Sequence, residues 1–372
     1  MNIILIARLV ACLLLAGITR QTIAQSKKVK KTPKDSSQRS FAIVPVVGVS
    51  PETGFTVATL GVLNFKTGKD YQKSRLSNVM PFASLSFTGQ IAFGTFYRVF
   101  SGNDRYLFQG RLIYNIGNAV YYGIGNDLPE SNKENSTNQT ISMATRVFRR
   151  LDKNLFFGLQ YQYVHFTSLE RESGGLLETS QVAGYDGSVV SGLGAAILYD
   201  NRENILNPQK GLYAEMSGYR FNKGAIGEYE FTSLQLDIRK YFQPFSDLPH
   251  TLAIQGFASF VIGDPPYSQL SALGGPTIMR GYVRGRYREK HHLAMQAEYR
   301  FPVWRKFGMA VFGGLGDVHN KVMNFNSTDL KGSYGVGLRF SILPKDRVNL
   351  RLDYGRGSDG SSGIYLGIGE AF

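Results

Sequence analysis

From Phe41 to Phe372 the sequence consists of segments of about ten residues in which apolar and polar residues alternate. Clusters of Gly, Asn, Asp and Ser separate these segments, and no stretch shows a convincing helical period. Neighbouring residues of a strand point to opposite faces, so each segment has one apolar and one polar face. The clearest apolar faces are Leu155, Phe157, Leu159, Tyr161 and Tyr163; Leu293, Met295, Ala297, Tyr299 and Phe301; Tyr334, Val336, Leu338, Phe340 and Ile342; and Val348, Leu350, Leu352 and Tyr354.

Alternation of this kind is compatible with a transmembrane barrel and with a soluble sandwich. In a barrel the apolar face contacts lipid and the polar face lines a wet lumen, whereas a sandwich exposes its polar face to solvent. Sandwich strands are typically shorter, and here an export signal precedes many long strands. We therefore predict an all-β fold, a 16-stranded antiparallel transmembrane β-barrel over residues 41–372.

The lengths of the connections support the count of sixteen strands. If both ends of the barrel lie in the periplasm, odd-numbered connections face outward and even-numbered ones should be short. The long connections follow odd-numbered strands and span 117–137, 169–186, 264–289 and 317–330. The predicted strands are 42–49, 54–66, 76–88, 90–100, 105–116, 138–149, 154–168, 187–200, 211–222, 227–242, 250–263, 290–301, 306–316, 331–343, 346–355 and 363–372.

The N-terminal region reads as an export signal followed by a leader. Residues 1–24 form an apolar run with small residues before a cleavage point at Gln25, which is typical of a secretory signal peptide. The alternatives are a membrane helix, which Arg8 shortens, and a lipid anchor on Cys12, after which the apolar run continues. Residues 25–40 are basic, lack aromatic residues and are predicted to be disordered. We expect no folded unit before the barrel.

Charge and cysteine content restrict the partners. The formal charge is +14, and it falls to +12 without residues 1–24, which contain two arginines and the single cysteine. A mature chain without thiols has no disulfides or thiolate metal sites. Its basic residues are spread along the whole chain, which favours a surface facing lipopolysaccharide phosphates over a nucleic-acid site. We predict outer-membrane lipids and lipopolysaccharide as partners, and no nucleic acid.

The sequence gives no sign of catalysis. Gly-x-Ser-x-Gly, His-Glu-x-x-His and phosphate-binding glycine loops are absent. His291 and His292 are adjacent on a predicted strand, so they point to opposite faces and are poor joint ligands. His165 and Ser168 lie near a strand end, but no acid is spaced to orient the histidine. We expect no enzyme activity, no catalytic residues, no cofactor and no metal site.

The connection that contains Leu273–Arg288 has an unusual composition. It carries four arginines and no acid before Glu289, and its Ile278-Met279 pair is apolar. Gly274 and Gly275 tolerate positive φ and favour a sharp turn at its start. An exposed loop has no physical need for bulky apolar residues beside arginine. We therefore predict that this loop folds inward onto acidic groups.

Three motifs resemble those of the BamA/TamA superfamily of Gram-negative outer-membrane barrels, of the bacterial surface antigen type. Met279-Arg280-Gly281-Tyr282 is similar to its sixth-loop motif Val/Ile-Arg-Gly-Phe/Tyr and lies between the eleventh and twelfth strands, as in the family. Glu298–Pro302 resembles the Glu-x-Arg-x-Pro end of the family's twelfth strand. The resemblance covers residues 41–372. Its periplasmic turn motif has counterparts in Asp200, Arg202, Pro208 and Gly211.

The resemblance implies that Arg280 reaches into the lumen and pairs with acids on two strands. Glu298 is one such acid, and it lies on the lumenal face by alternation. The second acid of the family is missing, because Gly314 stands at its place and Asp317 lies on the opposite face. Asp353, lumenal on the fifteenth strand, is the expected substitute.

The resemblance also implies a function and an assembly signal. Members with this barrel carry periplasmic POTRA modules, which we do not expect in this chain, so capture of protein clients would need a periplasmic partner. The implied role is assembly or translocation of outer-membrane proteins or lipids through a lateral seam between the first and last strands. The alternative is a passive pore or structural barrel. Phe372, an aromatic last residue sharing a face with Ile364 and Leu366, resembles the family's assembly signal.

Overall fold

The computed structural model describes residues 39–67, 74–101, 104–245, 247–326, 328–343 and 347–372. The predicted signal peptide, 1–24, and the leader up to residue 38 lie outside the described residues. The first strand begins at Arg39, which pairs with Phe65, two residues before the predicted start of the barrel at residue 41.

Sixteen strands form a closed antiparallel barrel, as predicted. Barrel neighbours are consecutive in the chain except that β11 pairs with β14 across two short strands, β12 and β13, which pair only with each other. The strands are β1 (Arg39–Ser50), β2 (Gly54–Phe65), β3 (Ser77–Ser86), β4 (Ile91–Phe100), β5 (Tyr106–Tyr121), β6 (Glu134–Arg150), β7 (Leu155–Glu170), β8 (Gly187–Asp200), β9 (Gly211–Phe221), β10 (Phe231–Phe242), β11 (Thr251–Gly263), β12 (Ser271–Leu273), β13 (Tyr287–Glu289), β14 (His291–Trp304), β15 (Phe307–His319), β16 (Lys331–Leu343), β17 (Val348–Gly357) and β18 (Ser362–Ile368).

Within the described residues, helical structure is limited to short pieces in the connections. The α-helix Leu176–Ser180 and three single 3₁₀ turns, Glu130–Asn132, Tyr267–Gln269 and Val322–Asn324, lie between strands. Over the described ranges, no helix is both long and apolar enough to cross a membrane.

The outer surface of the barrel is apolar. Side chains on the outward face leave much of their area exposed, for example Leu193 at 68%, Leu159 at 67% and Met295 at 63%. Exposed apolar surface on this scale marks contact with a membrane, since monomeric soluble proteins rarely expose it.

The two ends of the barrel differ. We call the end that carries residues 264–290 the loop end, and we call that segment the lumen loop. The opposite end, where β1 begins and β18 finishes, is the terminal end. At the loop end the predicted bounds of β5 and β6 are too short, because their pairing continues to Tyr121↔Glu134 beyond the apolar segments.

The seam between the first and last strands is short. β1 pairs with β2 along its whole length, whereas its pairing with β18 is limited, within the described ranges, to Val49↔Leu366. The prediction of a last strand over 363–372 is wrong at its C-terminal end. β18 stops at Ile368, and Gly369, with φ of +81°, turns the chain away from the wall.

The last residues therefore enter the lumen. Phe372 is 5% exposed and packs with Tyr241, Ala253 and Ala371 on the inner side of the wall. The expectation that it shares the outward face of Ile364 and Leu366 is wrong, because the turn at Gly369 breaks the alternation. Its role as an assembly signal stays a prediction.

Candidate functional site in the barrel lumen

The lumen loop reaches the inner wall through backbone conformations that require glycine. Gly274, Gly275 and Gly281 have φ of +102°, +119° and +117°, in the region that side chains disfavour. A Cβ on Gly281 would lie 2.6 Å from the carbonyl carbon of Arg356, and one on Gly355 would lie 2.7 Å from the carbonyl oxygen of Arg280. The loop backbone thus lies directly against β17.

Arg280 is the centre of this contact. Its side chain is 0% exposed, and its Nη2 donates to Glu298 Oε2 at 2.5 Å. Its Nη1 donates to Asp353, and the guanidinium lies 3.5 Å from the centre of the Phe312 ring. The structure therefore brings together Arg280 and both acids that the sequence assigned to it. Asp353, the expected substitute for the missing second acid, lies on β17.

Further charges complete what we call the lumen cluster. Arg339 donates to Asp353 Oδ1 at 2.5 Å and to Glu298 Oε1 at 3.1 Å. Arg300 donates to Glu298 Oε1 at 2.7 Å. The cluster comprises Arg280, Arg300, Arg339, Arg351, Glu298, Asp353 and Glu370.

Glu370 connects the cluster to the C-terminal residues. Glu370 accepts from Arg339 Nε at 2.7 Å and from Asn349 Nδ2 at 2.8 Å, and Arg300 Nη2 donates to the backbone oxygen of Phe372 at 2.9 Å. The roles of Arg300, Arg339 and Glu370 in the cluster were not predicted from the sequence. Alternation placed both arginines inward, but the position of Glu370 depends on the turn at Gly369, which periodicity does not encode.

A cluster of this kind holds a loop in place because separation of its buried charges has a large free-energy cost. Buried ions have lost their hydration, so removal of one partner leaves an uncompensated charge at a cost of about 3–5 kcal/mol. The planar guanidinium of Arg280 suits the task because it can bind two carboxylates at once. The geometry thus fixes the loop to β14 and β17 together.

The residues on either side of Arg280 anchor the same segment. Met279, at φ of +55°, is fully buried, and its N–H donates to Gln296 Oε1 at 3.3 Å. The hydroxyl of Tyr282 donates to the carbonyl of Gly332 at 2.7 Å and accepts from the N–H of Ser358 at 2.9 Å. The loop therefore contacts β14, β16 and the turn after β17.

The other loop arginines have different surroundings. Arg286 lies 3.4 Å from both Glu130 and Asp359 and stacks on two tyrosine rings. Arg288 packs over tyrosine rings and donates to a backbone carbonyl, and the exposed side chain of Arg284 lines a cavity. The prediction that the loop folds onto acidic groups thus holds for the side chains of Arg280 and Arg286.

At the loop end, the surroundings of Asp359 favour its ionised form. Burial alone would raise its pKa, but hydrogen bonds from Ser361 and Tyr287 and the charge of Arg286 hold the pKa below its ordinary value. Burial raises the pKa of Tyr287, so its hydroxyl remains a donor to Asp359.

The turn motif closes the terminal end. Arg202 binds Asp200 through two hydrogen bonds of 2.9 and 3.0 Å. Gly211 has φ of +111°, and a Cβ there would lie 2.8 Å from Arg202 Cα. Pro208 offers its carbonyl to Arg300 at 3.4 Å, so the turn also touches the lumen cluster.

A cavity of about 740 Å³ remains beside the loop. The lumen loop packs against β14–β18, whereas the cavity lies mainly against β4–β11. Its wall is rich in basic side chains, which are Arg98, Arg111, Arg146 and Arg284.

Fold and site together define a class of protein, an outer-membrane-type barrel whose lumen holds a loop fixed by a buried arginine. The chain belongs to the Omp85 superfamily, whose domain matches residues 62–372. No curated protein matches the sequence.

Solved barrels of the superfamily share the fold. BamA from Haemophilus ducreyi lacking POTRA domains 1–3 is similar with a TM-score of 0.60 and 14% identity, over 90% of this chain and 71% of that chain. CdiB from Acinetobacter baumannii is similar with a TM-score of 0.55 and 12% identity, over 89% of this chain and 65% of that chain. CdiB from Escherichia coli is similar with a TM-score of 0.51 and 10% identity, over 89% of this chain and 67% of that chain. The predicted BamA/TamA-like fold is confirmed at the level of the superfamily.

Proposed function

We propose that this barrel assembles or translocates outer-membrane proteins or lipids by parting laterally between β1 and β18. It would lie in the outer membrane of a Gram-negative cell, with the loop end outward. It would catalyse no covalent reaction. The observation that carries the proposal is the seam, where pairing within the described ranges is limited to Val49↔Leu366.

A seam of this kind is costly in a membrane. Lipid offers no hydrogen bonds, so an unpaired backbone group costs several kcal/mol in the hydrocarbon region. β1 extends from Arg39 to Ser50, whereas β18 has only seven residues, so β1 leaves most of its outer edge without this neighbour. A client strand could pair with that edge by β-augmentation.

The lumen loop contacts both sides of the seam. On one side Gly281 donates its N–H to the hydroxyl of Tyr365 in β18 at 3.0 Å. On the other, Arg284 donates its N–H to Glu52, just after β1, at 2.9 Å. The loop thus stabilises the two strand ends at the loop end and leaves the terminal end of the seam to part.

A disulfide across the seam tests the proposal. Val49→Cys/Leu366→Cys joins two directly opposite residues, and Cα partners in antiparallel sheets lie within disulfide range. The readout is the rate at which the purified barrel, in phospholipid vesicles, accelerates folding of a urea-unfolded eight-stranded outer-membrane barrel. We expect oxidation to abolish most of the acceleration and a reductant to restore it.

The matched control is Leu338→Cys/Leu352→Cys, another outward-facing pair of direct partners, placed in the continuous β16–β17 ladder. Its oxidation should leave the rate unchanged. Full acceleration by the seam-crosslinked barrel would contradict lateral parting. A reduced barrel that gives no acceleration would favour the alternative, a passive pore or structural barrel, which planar-bilayer conductance measures directly.

The proposed partners are outer-membrane lipids, lipopolysaccharide, protein clients and a periplasmic protein that delivers them. Purification from native membranes, with identification of copurifying proteins, tests the last two. A barrel that copurifies with lipid alone would argue against protein clients.

A further inference from the structure

A second group of ionisable side chains lies at the loop end, outside the lumen cluster. Asp317 and His319 are two residues apart on β15, so they share a face. That face is the outward one, because Leu315 on the same side is 53% exposed. Asp329 returns to them from the connection between β15 and β16.

The distances are those of a chelating group. His319 Nε2 lies 2.8 Å from Asp317 Oδ2 and 4.0 Å from Asp329 Oδ2, and one ligand atom from each residue lies within 4.8 Å of the others. Two ligands of one zinc ion, each at about 2.1 Å, are separated by about 3.0–3.5 Å. The observed separations bracket that range.

The carboxylate of Asp317 is buried without a hydrogen-bond donor among the described residues. It is 0% exposed, and neither oxygen accepts a hydrogen bond from any residue that the structure describes. A buried ionised carboxylate in that condition is strongly destabilising unless a cation neutralises it. Within the described ranges, the imidazole of His319 is the only basic group at ion-pair distance from Asp317.

The imidazole cannot satisfy both of its polar neighbours. His319 Nε2 faces the Asp317 carboxylate, an acceptor, and also Asn126 Nδ2, a donor, at 3.2 Å. A neutral ring nitrogen either donates or accepts. Turning the Asn126 amide end for end removes the conflict, and its oxygen then lies beside the two carboxylates as a further ligand for a metal ion bound to Nε2.

We propose that Asp317, His319 and Asp329, with the amide oxygen of Asn126, bind a divalent transition-metal ion of the zinc type. The imidazole and carboxylates suit zinc better than calcium or magnesium, which prefer oxygen-only sites. The ring of Phe325 packs edge-on against the imidazole of His319, with 4.9 Å between the two ring centres. The ion would link Asn126, in the connection before β6, and Asp329, in the connection before β16, to the end of β15.

Zinc binding to the whole purified protein, made without a histidine tag and freed of metal by a chelator, tests this site. We expect isothermal titration calorimetry in detergent to give one Zn²⁺ per chain. Asp317→Asn and His319→Gln should each weaken binding by more than about 10-fold, the loss that even outer-shell changes cause. Zn²⁺ should also raise the temperature of the unfolding shift on gels for the wild type but not for these two variants.

His291→Gln is the matched control. His291 is the direct cross-strand partner of His319 and lies outside the set of ligands, so this variant should bind zinc as the wild type does. If the buried substitutions prevent folding, Asp329→Asn serves instead, because that side chain is 43% exposed. A wild-type protein that binds no zinc, or binding that survives both Asp317→Asn and Asp329→Asn, overturns the proposal.

Discussion

At the scale of single residues, the lumen depends on one arginine and its geometry. Arg280 contacts Glu298 and Asp353 with two different nitrogens and places its flat face on Phe312. A lysine could offer charge, but its compact ammonium lacks the fork and the stacking face. The identity of this residue, and not only its charge, therefore determines how the loop is held.

Arg280→Ala should destabilise the barrel by about 3 kcal/mol or more, because it leaves two buried acids with fewer partners. Arg280→Lys should recover only part of that loss. The measurement is the temperature at which the folded band converts to the unfolded band on a semi-native gel. Arg284→Ala is the control, since that side chain is exposed in the same loop. Equal stability of Arg280→Ala and the wild type would contradict the role of the lumen cluster.

At the scale of elements, the C-terminal residues behave as a separate plug segment. β18 stops early, and Glu370 is drawn to Arg339 and Asn349 instead of continuing the ladder. The N–H of Glu370 also donates to the carbonyl of Leu206 in the β8–β9 turn at 3.2 Å. Two segments that are distant in sequence thus close the terminal end together.

Glu370→Gln should release this segment. Loss of a charged hydrogen-bonding partner is worth about 1.5–3 kcal/mol, which corresponds to about 10-fold or more in the open fraction. The measurement is the labelling rate of Ala371→Cys with a maleimide-polyethylene glycol reagent, with and without Glu370→Gln. Lys210→Cys, exposed at the same end, should label quickly in both backgrounds. Slow labelling of residue 371 in the Glu370→Gln background would show that the charge does not hold the segment.

At the scale of the whole molecule, the lumen is divided. The loop occupies the half formed by β14–β18, and the remaining cavity of about 740 Å³ is lined by arginines. Arg146 pairs with Glu215 at 2.7 Å, whereas Arg111 and Arg284 have no ion-pair partner among the described residues. The open half of the lumen therefore carries a positive potential.

Deletion of residues 277–284 should turn this barrel into an anion-selective pore. The wild type should conduct little in planar bilayers, because the loop obstructs the lumen. The deletion should give larger currents whose reversal potential in a KCl gradient indicates chloride preference. Arg111→Glu in the deletion background should reduce that preference. Cation-selective currents from the deletion variant would contradict the assigned lumen charge.

The sequence by itself determined the class of fold. A period of two over long segments requires strands with one apolar and one polar face. Sixteen such strands, whose even-numbered connections are short except at 67–75 and 201–210, close into one barrel. The same alternation placed Glu298 and Asp353 inward, and the motif placed Arg280 beside them. These predictions succeed because each depends on local pattern.

Only the tertiary structure decided which charges meet and where the chain leaves the wall. The inward turn at Gly369 is accompanied by the ion pair between Glu370 and Arg339, which lies on another strand. The local pattern of apolar and polar residues therefore cannot predict it. The meeting of Asp317 with Asp329 and Asn126 likewise depends on how two connections fold over the rim. Local sequence sets the face of a strand, whereas the burial of charge is settled by partners that only the closed barrel brings together.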